Sequence, residues 1–400
     1  MKYLEIRRLG PIIATGVMEI SPVTLFCGRQ GRGKSTIVKI LSTCIWLEKA
    51  ISRQEVDEKY YTLYNRFRKT LCGYHQIEDF FCPYTYIKYV GEAYTFEYKS
   101  ERLFIKKNRG DGGYLLPKVM YIPAERNFMV AIEQADKVRG LPASLVTLQV
   151  EYQKALGKLK GSFDLVDGFA VEYSRQNKIT YIAKGGSKVR AYKGASGLQS
   201  LLPLLLVSRS LSNEIAERVD VPLSAEELAK LRKKIAEIQE DAFVSDQLKK
   251  LMIENVTKVI APKSLWCIVE EPEQNLYPLT QKELLFNLLE SRKRNNGSGL
   301  VMTTHSPYII NYLSICVKAY QVANKVGDEG NKLVEAIVPH RSQLAPNELS
   351  IYEIEENGVV RKLKSYEGIP EDSNFLNNAL QETNQLFSDL MDIEDGIAEG

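Results

Sequence analysis

Two groups of residues in this 400-residue sequence have the types and spacing needed to hold a phosphate chain. The first is the glycine-rich segment 28–36 (Gly-Arg-Gln-Gly-Arg-Gly-Lys-Ser-Thr), which lies between an apolar run at 23–27 and a helical pattern at 37–47. Glycines let backbone N–H groups turn inward around a phosphate, and a helix N-terminus adds partial positive charge. Lys34 can reach terminal phosphates, and Ser35 is a suitable Mg²⁺ ligand. The segment therefore predicts a triphosphate-binding loop between a strand and a helix.

The second group follows two apolar runs that are typical of buried parallel strands. Glu270 and Glu271 come directly after the run 265–269, and His305 follows the run 300–304. A helix between the two strands would make a β-α-β unit, whose polar strand ends meet at the carboxyl edge of the sheet. There, one of the two glutamates could hold Mg²⁺ and the other could polarise a water for attack on the γ-phosphate, while His305 could donate to that phosphate and sense it. A solvated acidic loop and a structural histidine are the alternatives.

A third segment, Ala195-Ser196-Gly197-Leu198-Gln199, opens a strongly apolar helix. A serine hydroxyl and glycine N–H groups at a helix N-terminus make a second phosphate-binding end. Such an end is useful only from the opposite side of a nucleotide that the first loop already holds. The alternative is an ordinary helix start.

The composition sets limits on the class of protein. Hydrophobic residues make up 44% and charged residues 26% of the chain, and the net charge of +3 is too small to indicate nucleic-acid binding. The six cysteines are scattered without a C-x-x-C pair, which favours buried thiols in a reducing cytosol. Because no uninterrupted apolar stretch reaches about 18 residues, we expect a cytoplasmic protein without a membrane span.

Taken together, these motifs resemble the ABC-type ATPase heads of the SMC, RecF and OLD-like class, and most of all the stand-alone ATPases of bacterial anti-phage defence. In that resemblance 28–36 is the Walker A loop, 195–199 the signature motif, Glu270 and Glu271 the Walker B end, and His305 the switch histidine. The resemblance implies an α/β P-loop NTPase fold of ABC-ATPase type, with a mixed sheet core, an antiparallel β subdomain and a helical insertion. The ATP-binding residues that it implies are Gly28, Arg29, Gln30, Gly31, Arg32, Gly33, Lys34, Ser35, Thr36, Ser196, Gly197 and Gln199.

The resemblance also implies an activity, cofactors and partners. Lys34, Glu271 and His305 would catalyse ATP hydrolysis, with Mg²⁺ held by Ser35 and Glu270. Two copies would sandwich two ATP molecules in a homodimer or a higher homo-oligomer, which would control a separately encoded effector, either a toxin or a nuclease. DNA is a further conceivable partner, although the net charge does not indicate it.

Departures from the family pattern define the alternatives. The segment 271–278 resembles the E-P-E-x-x-L-x-P pattern of OLD-like and defence ATPases, and no D-x-D group follows a strand after His305. We therefore expect no nuclease activity in this chain. Arg126 lies in a segment shared with the same ATPases, where a structural salt bridge would explain it equally well. The competing functions are a RecF-like DNA-repair ATPase and an ATP-dependent scaffold that sequesters a partner without turnover.

The expected domain organisation follows the motifs, with one lobe formed by two segments and a helical hairpin within which Ser224 to Glu227 fit a capping box. A further strand is predicted at 317–322. The segments are the N-terminal ATPase lobe with Walker A (1–50 and 84–193), a helical excursion (51–83), the signature helix (194–209), the helical hairpin insertion (210–260), the lobe with Walker B and the switch histidine (261–325), and a C-terminal hairpin and helix (326–400).

Overall fold

The computed structural model describes residues 1–53, 55–109, 114–132, 138–217 and 262–398, together with a few positions between 233 and 240. The strands are β1 Lys2–Leu9, β2 Ile12–Ala14, β3 Met18–Ile20, β4 Val23–Gly28, β5 Phe81–Val90, β6 Tyr94–Lys99, β7 Arg102–Lys107, β8 Pro117–Ile122, β9 Ser162–Asp164, β10 Ala170–Ser174, β11 Ile179–Lys184, β12 Ser187–Arg190, β13 Ser264–Glu270, β14 Gly299–Thr304, β15 Leu349–Ile354, β16 Val360–Lys362, β17 Ser365–Tyr366 and β18 Ile369–Pro370. The α-helices are α1 Lys34–Ser52, α2 Glu58–Thr62, α3 Phe128–Ala131, α4 Ala143–Lys158, α5 Ser196–Ala216, α6 Pro278–Lys293, α7 Pro307–Ala323, α8 Asp328–Ile337 and α9 Phe375–Ala398.

The central sheet has the strand order β16-β15-β4-β14-β13-β8, in which every pairing is parallel except that of β15 with β16. Both of its faces are covered, which is why its strands are continuous apolar runs. Along β13, Trp266 and Ile268 pack into the core on the side of α1, while Cys267 and Val269 pack into the core formed with α4, α5, α6 and α7. The loops that carry the predicted site all leave the carboxyl edge of this sheet.

A second, antiparallel sheet, β2-β1-β5-β6-β7 with β3 on β1, covers α1. It is attached to that helix through Glu48, whose carboxylate is fully buried and accepts hydrogen bonds from the Tyr89 hydroxyl (2.7 Å) and from the backbone N–H of Ala93 (2.7 Å). A third sheet, β12-β11-β10-β9, is also antiparallel. The mixed sheet core and the antiparallel β subdomain are therefore confirmed.

One local prediction was wrong, and one lies outside the described residues. The segment 317–322 is not a strand but the end of α7, because its β-branched residues continue a helical burial pattern that starts earlier, at Ile309, Leu313 and Cys316. The apolar segment 12–20 is divided into β2 and β3, with Gly16 between them at φ +60°. The helical hairpin at 210–260 falls almost wholly outside the described residues beyond the end of α5.

Helix α9 leaves the body of the molecule after its first turn. Residues 378–395 are all exposed, and they include a row of large apolar side chains: Leu380, Leu386, Phe387, Leu390, Met391 and Ile393. The helix contains no lysine or arginine and carries five acidic residues between 382 and 395. Among the described helices, none is long and apolar enough to span a lipid bilayer.

Candidate nucleotide-binding site

The loop between β4 and α1 has a backbone path that only glycine allows at two positions. Gly28 has φ +139°, and a Cβ there would lie 2.7 Å from the carbonyl oxygen of Ile354 on β15. Gly33, the N-cap of α1, has φ +99°, and a Cβ there would lie 2.4 Å from Ile12. The close packing of this loop against β15 and β2 therefore fixes its shape and directs the N-terminus of α1 toward the loop interior.

Lys34 lies at the first position of α1 with its side chain folded back over the loop. Its Nζ donates hydrogen bonds to the carbonyl oxygens of Gly28 (2.8 Å) and Arg29 (2.9 Å). Burial lowers the pKa of Lys34 to about 8, although the nearby Glu271 carboxylate opposes this shift. Carbonyl oxygens of the loop thus hold the Lys34 ammonium group at the N-terminus of the helix, which is where a phosphate would bind.

His305 connects Lys34 to Glu271. Its Nε2 lies 3.2 Å from Oε1 of Glu271, and its Nδ1 lies 3.4 Å from Nζ of Lys34. A neutral ring with the proton on Nε2 satisfies both contacts, since Nε2 then donates to the carboxylate and Nδ1 accepts from the ammonium. The hydrogen bond from His305 lowers the pKa of Glu271, against the effect of burial, so the carboxylate is ionised at neutral pH.

The backbone of Glu271 is strained, with φ +43°. Its N–H donates to the carbonyl oxygen of Thr303 (3.1 Å), and its own carbonyl oxygen accepts from the Arg126 guanidinium (2.7 Å). A non-glycine residue with positive φ persists only where its surroundings impose that conformation. These two hydrogen bonds tie Glu271 to β14 on one side and to Arg126 on the other.

Arg126 acts as a clamp beneath the site, and its contacts differ from the salt bridge weighed for it on sequence grounds. The side chain is fully buried in the short 3₁₀ turn after β8. Its hydrogen bonds go to backbone carbonyl oxygens on three segments, namely those of Pro123, Ser200, Glu270, Glu271 and Pro272. Burial lowers its pKa to about 10, and the neighbouring glutamates limit that shift. Arg126 therefore joins β8, α5 and the end of β13.

Glu273 is a further site residue to which the sequence assigned no role. Its buried carboxylate accepts hydrogen bonds from the Thr304 hydroxyl (2.8 Å) and from the backbone N–H of His305 (2.7 Å), and burial raises its pKa. Its second oxygen has no hydrogen-bond partner among the described residues. Glu273 thus positions the histidine that contacts Glu271. The Glu-Pro-Glu pattern was the signal that could have identified it.

The two predicted Mg²⁺ ligands occupy different surroundings. The Glu270 carboxylate is buried and accepts a hydrogen bond from the Tyr121 hydroxyl, while Ser35 is half-buried in the first turn of α1. No group of three or more His, Cys, Asp or Glu side chains in the described part of the chain could hold a metal by itself. This donor set fits Mg²⁺, which keeps waters and phosphate oxygens in its shell and takes only one or two protein ligands.

The remaining predicted residues of the glycine loop lie at its flanks, at its tip and in α1. Arg29 and Arg32 flank the loop, where Arg29 pairs with the Glu356 carboxylate and Arg32 donates to the Glu356 carbonyl (3.0 Å). The Arg29 guanidinium also lies 4.6 Å from the ring centroid of Phe375, at the start of α9. Gln30 and Gly31 are exposed at the tip of the loop, and Thr36 is buried in α1.

The predicted signature residues lie at the N-terminus of α5. A Cβ on Gly197 would be 2.5 Å from the carbonyl oxygen of Asn275, so this end of the helix packs on the segment that follows Glu271. The Gln199 amide donates to the carbonyl oxygen of Tyr192 (2.9 Å). The structure therefore brings together Lys34, Glu270, Glu271 and His305, and it places Gly197 against the segment that follows Glu271.

Comparison with known proteins gives one family match and several structural likenesses. Residues 260–311 match the AAA_21 family model, described as "AAA domain, putative AbiEii toxin, Type IV TA system". This segment runs from β13 into α7 and contains Glu270, Glu271 and His305. No curated protein matches the chain at a significant level.

Three solved structures are similar in overall chain path. The SMC head domain from Thermotoga maritima is 11% identical, with a TM-score of 0.38, and the match covers 91% of this chain and 98% of that one. The recombination mediator protein RecF is 11% identical, with a TM-score of 0.31, and the match covers 90% of this chain and 97% of that one. An ATP-binding cassette of an ABC transporter in its ADP conformation is 11% identical, with a TM-score of 0.28, and the match covers 92% of this chain and 93% of that one.

At these identities and TM-scores the three likenesses carry no argument about the fold or the activity of this chain. The fold class follows from the chain's own topology: a parallel sheet in which β4 leads through the glycine loop into α1, β14 lies next to β4, and β13 carries the two glutamates at its carboxyl end. The chain therefore has the α/β P-loop NTPase fold that the sequence predicts, and its residues 260–311 match the AAA_21 family model.

Proposed function

We propose that this chain binds ATP with Mg²⁺ and hydrolyses it. The observation that supports hydrolysis most directly is the chain of contacts from Lys34 through His305 to Glu271 at the mouth of the glycine loop. It joins a phosphate-binding cation, a polar side chain able to donate to phosphate oxygens, and an ionised carboxylate able to accept a proton. Phosphoryl transfer to water needs these three functions near one another.

Each residue has a separate task. Lys34 exchanges its hydrogen bonds to the Gly28 and Arg29 carbonyls for phosphate oxygens. His305 moves its Nε2 proton from Glu271 toward the terminal phosphate, which frees the Glu271 carboxylate to orient a water and accept its proton. Mg²⁺ bound with ATP supplies charge neutralisation on the phosphate oxygens. During these exchanges Glu273 keeps the backbone of His305 in place, and Arg126 keeps the backbone of Glu271 in place.

We further propose that the working form is a two-fold dimer. At the N-terminus of α5, Ser196 is exposed, while Gly197 packs on Asn275 of the segment that follows Glu271. A phosphate-binding end in that position can contact ATP only when a second copy faces it, and this geometry is satisfied by an isologous pair. The dimer would carry two ATP molecules between the two chains.

The protein that such a dimer controls would be a separately encoded effector, a toxin or a nuclease of an anti-phage system. Two observations support a partner protein. The exposed part of α9 carries an apolar row that water solvates poorly, and its acidic charges favour a basic partner. In addition, α9 begins at Phe375, which contacts Arg29 of the glycine loop. The matched family is itself described through a toxin system.

The test separates ATP binding from turnover. Glu271→Gln keeps the shape of the side chain but removes its ability to accept a proton, so we expect ATP to bind, phosphate release to fall about 100-fold or more, and the dimer to accumulate. Lys34→Ala should abolish both binding and dimerisation. Glu329→Gln on the exposed helix α8 is the matched control and should behave as the unmodified chain.

The readouts are phosphate release, ATP binding by calorimetry, and molar mass by light scattering with and without ATP. Unchanged phosphate release in Glu271→Gln would exclude Glu271 as the base. If the Glu271→Gln dimer still controls the effector and Lys34→Ala does not, the chain acts as an ATP-dependent scaffold that needs no turnover. Salt-dependent binding of duplex DNA would instead favour the RecF-like function.

A further inference from the structure

A second cavity lies on the flank of α1, away from the glycine loop. Its volume is about 370 Å³, and Ser42, the lining residue of α1 nearest in sequence to Lys34, is eight positions away, roughly 12 Å along the helix axis. The lining residues come from α1, the helical turns at 67–75, β8 and α4: Ser42, Thr43, Trp46, Lys49, Thr70, Leu71, Tyr74, His75, Lys118, Val119, Tyr121 and Thr147. Apart from Tyr121, whose hydroxyl donates to Glu270, none of them belongs to the nucleotide site described above, and the volume is that of a small-molecule site.

The walls of this flank cavity have a definite chemistry. The rings of Trp46, Tyr74 and Tyr121 provide aromatic surface, and several hydroxyl groups provide hydrogen bonds. The only charged side chains among the described lining residues are Lys49, beside the Trp46 ring, and Lys118, which pairs with Glu151 on α4. Aromatic faces select a planar ring system, and two cations without a lining carboxylate select an anion.

His75 supplies the observation that points to a ligand. The side chain is only 4% exposed, its ring lies edge-on to Tyr74 and Tyr121 at 4.8 Å and 4.5 Å, and its Nδ1 is buried without a hydrogen-bond partner. Burial lowers the pKa of His75 to about 3, so the ring is neutral at physiological pH. A buried, unpaired ring nitrogen is costly, and a polar atom of a bound molecule would satisfy it once the ring turns Nδ1 toward the cavity.

Tyr121 connects the flank cavity to the catalytic edge of the sheet. Its ring contacts His75 on the cavity side, and its hydroxyl donates a hydrogen bond to the Glu270 carboxylate at the end of β13. A molecule in the cavity would therefore touch the residue that orients Glu270. Because Tyr121 is buried, any shift of its ring would be passed directly to that carboxylate.

We propose that the flank cavity binds a small anionic heteroaromatic molecule of mononucleotide size, and that its occupancy alters ATP turnover through Tyr121 and Glu270. The ring system lies against Trp46 and Tyr74, a ring heteroatom pairs with Nδ1 of His75, and the anionic group faces Lys49 and Lys118. Binding itself is independent of the proposed ATPase activity, whereas the coupling to Glu270 rests on it.

Binding is tested in the Lys34→Ala chain, where the glycine loop no longer competes for phosphates. The probes are AMP, GMP, CMP and UMP, with adenosine and inorganic phosphate as the uncharged and ring-free comparisons, followed by calorimetry and by quenching of Trp46 fluorescence. We expect at least one monophosphate to bind tighter than both comparisons. His75→Ala should weaken that binding about 5- to 10-fold, Thr70→Trp should block it, and the exposed His340→Ala should leave it unchanged.

Two results would overturn the binding proposal. In the first, no probe binds at millimolar concentration to a chain whose melting temperature is unchanged, which would mean that the cavity holds only water. In the second, binding persists equally in His75→Ala and Thr70→Trp. The coupling is tested with the unmodified chain, where the bound monophosphate should change phosphate release at least twofold. Tyr121→Phe should still bind the probe but lose this effect. A probe that binds in the cavity and leaves both turnover and ATP affinity unchanged would overturn the coupling alone.

Discussion

The guanidinium of Arg126 donates a 2.7 Å hydrogen bond to the backbone carbonyl oxygen of Glu271, the residue whose backbone φ of +43° is unfavourable for a side chain. A second hydrogen bond, from the Glu271 N–H to the carbonyl oxygen of Thr303, holds the peptide unit on the other side of the same Cα. The strained conformation is therefore imposed by two neighbours that are themselves fixed, one fully buried and the other in the centre of the sheet. The consequence is a carboxylate that projects toward His305 and Lys34.

Replacement of Arg126 by lysine should show how much this clamp contributes. A lysine keeps the charge but has three donors on one atom, so it cannot reach carbonyl oxygens on three segments, and several buried acceptors would be left unpaired. We expect the free energy of unfolding to fall by about 3 kcal/mol or more. Phosphate release should fall further than ATP affinity, because Glu271 moves while the glycine loop does not.

The measurements for Arg126→Lys are chemical denaturation, ATP binding and phosphate release. The control is Arg341→Lys, an exposed arginine on the far side of α6, which should change the unfolding free energy by less than about 0.5 kcal/mol. Wild-type turnover in Arg126→Lys would show that Glu271 does not depend on the clamp.

Glycine at position 271 should separate stability from activity. Glu271→Gly removes the carboxylate but also removes the steric cost of the positive φ, so we expect a melting temperature equal to or above that of the unmodified chain, with phosphate release lost. Glu271→Gln keeps both the side chain and the strain, and should therefore melt no higher than Glu271→Gly. Thermal unfolding of the three chains checks the order. A Glu271→Gly chain that is clearly less stable would mean that the side-chain contact with His305 outweighs the strain.

The sequence predicted the structure correctly where the residues of a segment determine the conformation of that same segment. The run 23–28, the glycines and Lys34 specify strand, loop and helix through local backbone requirements, and the apolar runs before Glu270 and His305 specify buried parallel strands. The convergence of these strand ends followed from topology, without knowledge of any contact. These features were sufficient to predict the fold class.

The parts that the sequence did not reveal depend on contacts between distant segments. Nothing around Arg126 indicates that four of its five hydrogen bonds reach residues 74 to 146 positions away. Glu273 is part of the Glu-Pro-Glu pattern, but its role depends on a hydrogen bond from the backbone N–H of His305, which follows another strand. The predicted strand at 317–322 failed for the opposite reason, because a short β-branched window was given more weight than the longer helical period around it.

Two glycine-to-alanine substitutions should have effects of opposite sign. At Gly197 in α5 a Cβ would meet the Asn275 carbonyl at 2.5 Å, so Gly197→Ala should destabilise the chain by about 1–3 kcal/mol and displace the segment that follows Glu271. At Gly157 in α4 no atom lies within 4 Å of the added Cβ, so Gly157→Ala should stabilise by about 0.5–1 kcal/mol. Urea unfolding measures both. Equal effects of the two changes would contradict the packing of α5 on Asn275.

The affinity for ATP should depend on pH through Lys34. Its pKa of about 8 in the ligand-free chain means that the amine loses its proton as the pH rises through 8, whereas phosphate oxygens favour the ammonium form. Binding therefore takes up a proton above pH 8, and affinity must fall as the pH rises. From the fraction protonated, the loss between pH 7.5 and pH 9 is about eightfold.

The measurement is calorimetry of the binding of a non-hydrolysable ATP analogue to the unmodified chain at several pH values, because loss of the Glu271 carboxylate would itself lower the pKa of Lys34. Buffers of different ionisation enthalpy allow proton uptake to be read directly. Lys34→Arg is the control, since a guanidinium stays charged throughout this range and should bind ATP more weakly but with little dependence on pH. An affinity that is constant from pH 7.5 to 9 in the lysine chain, or a slope that is equal in the arginine chain, would show that Lys34 enters the complex without a change of protonation.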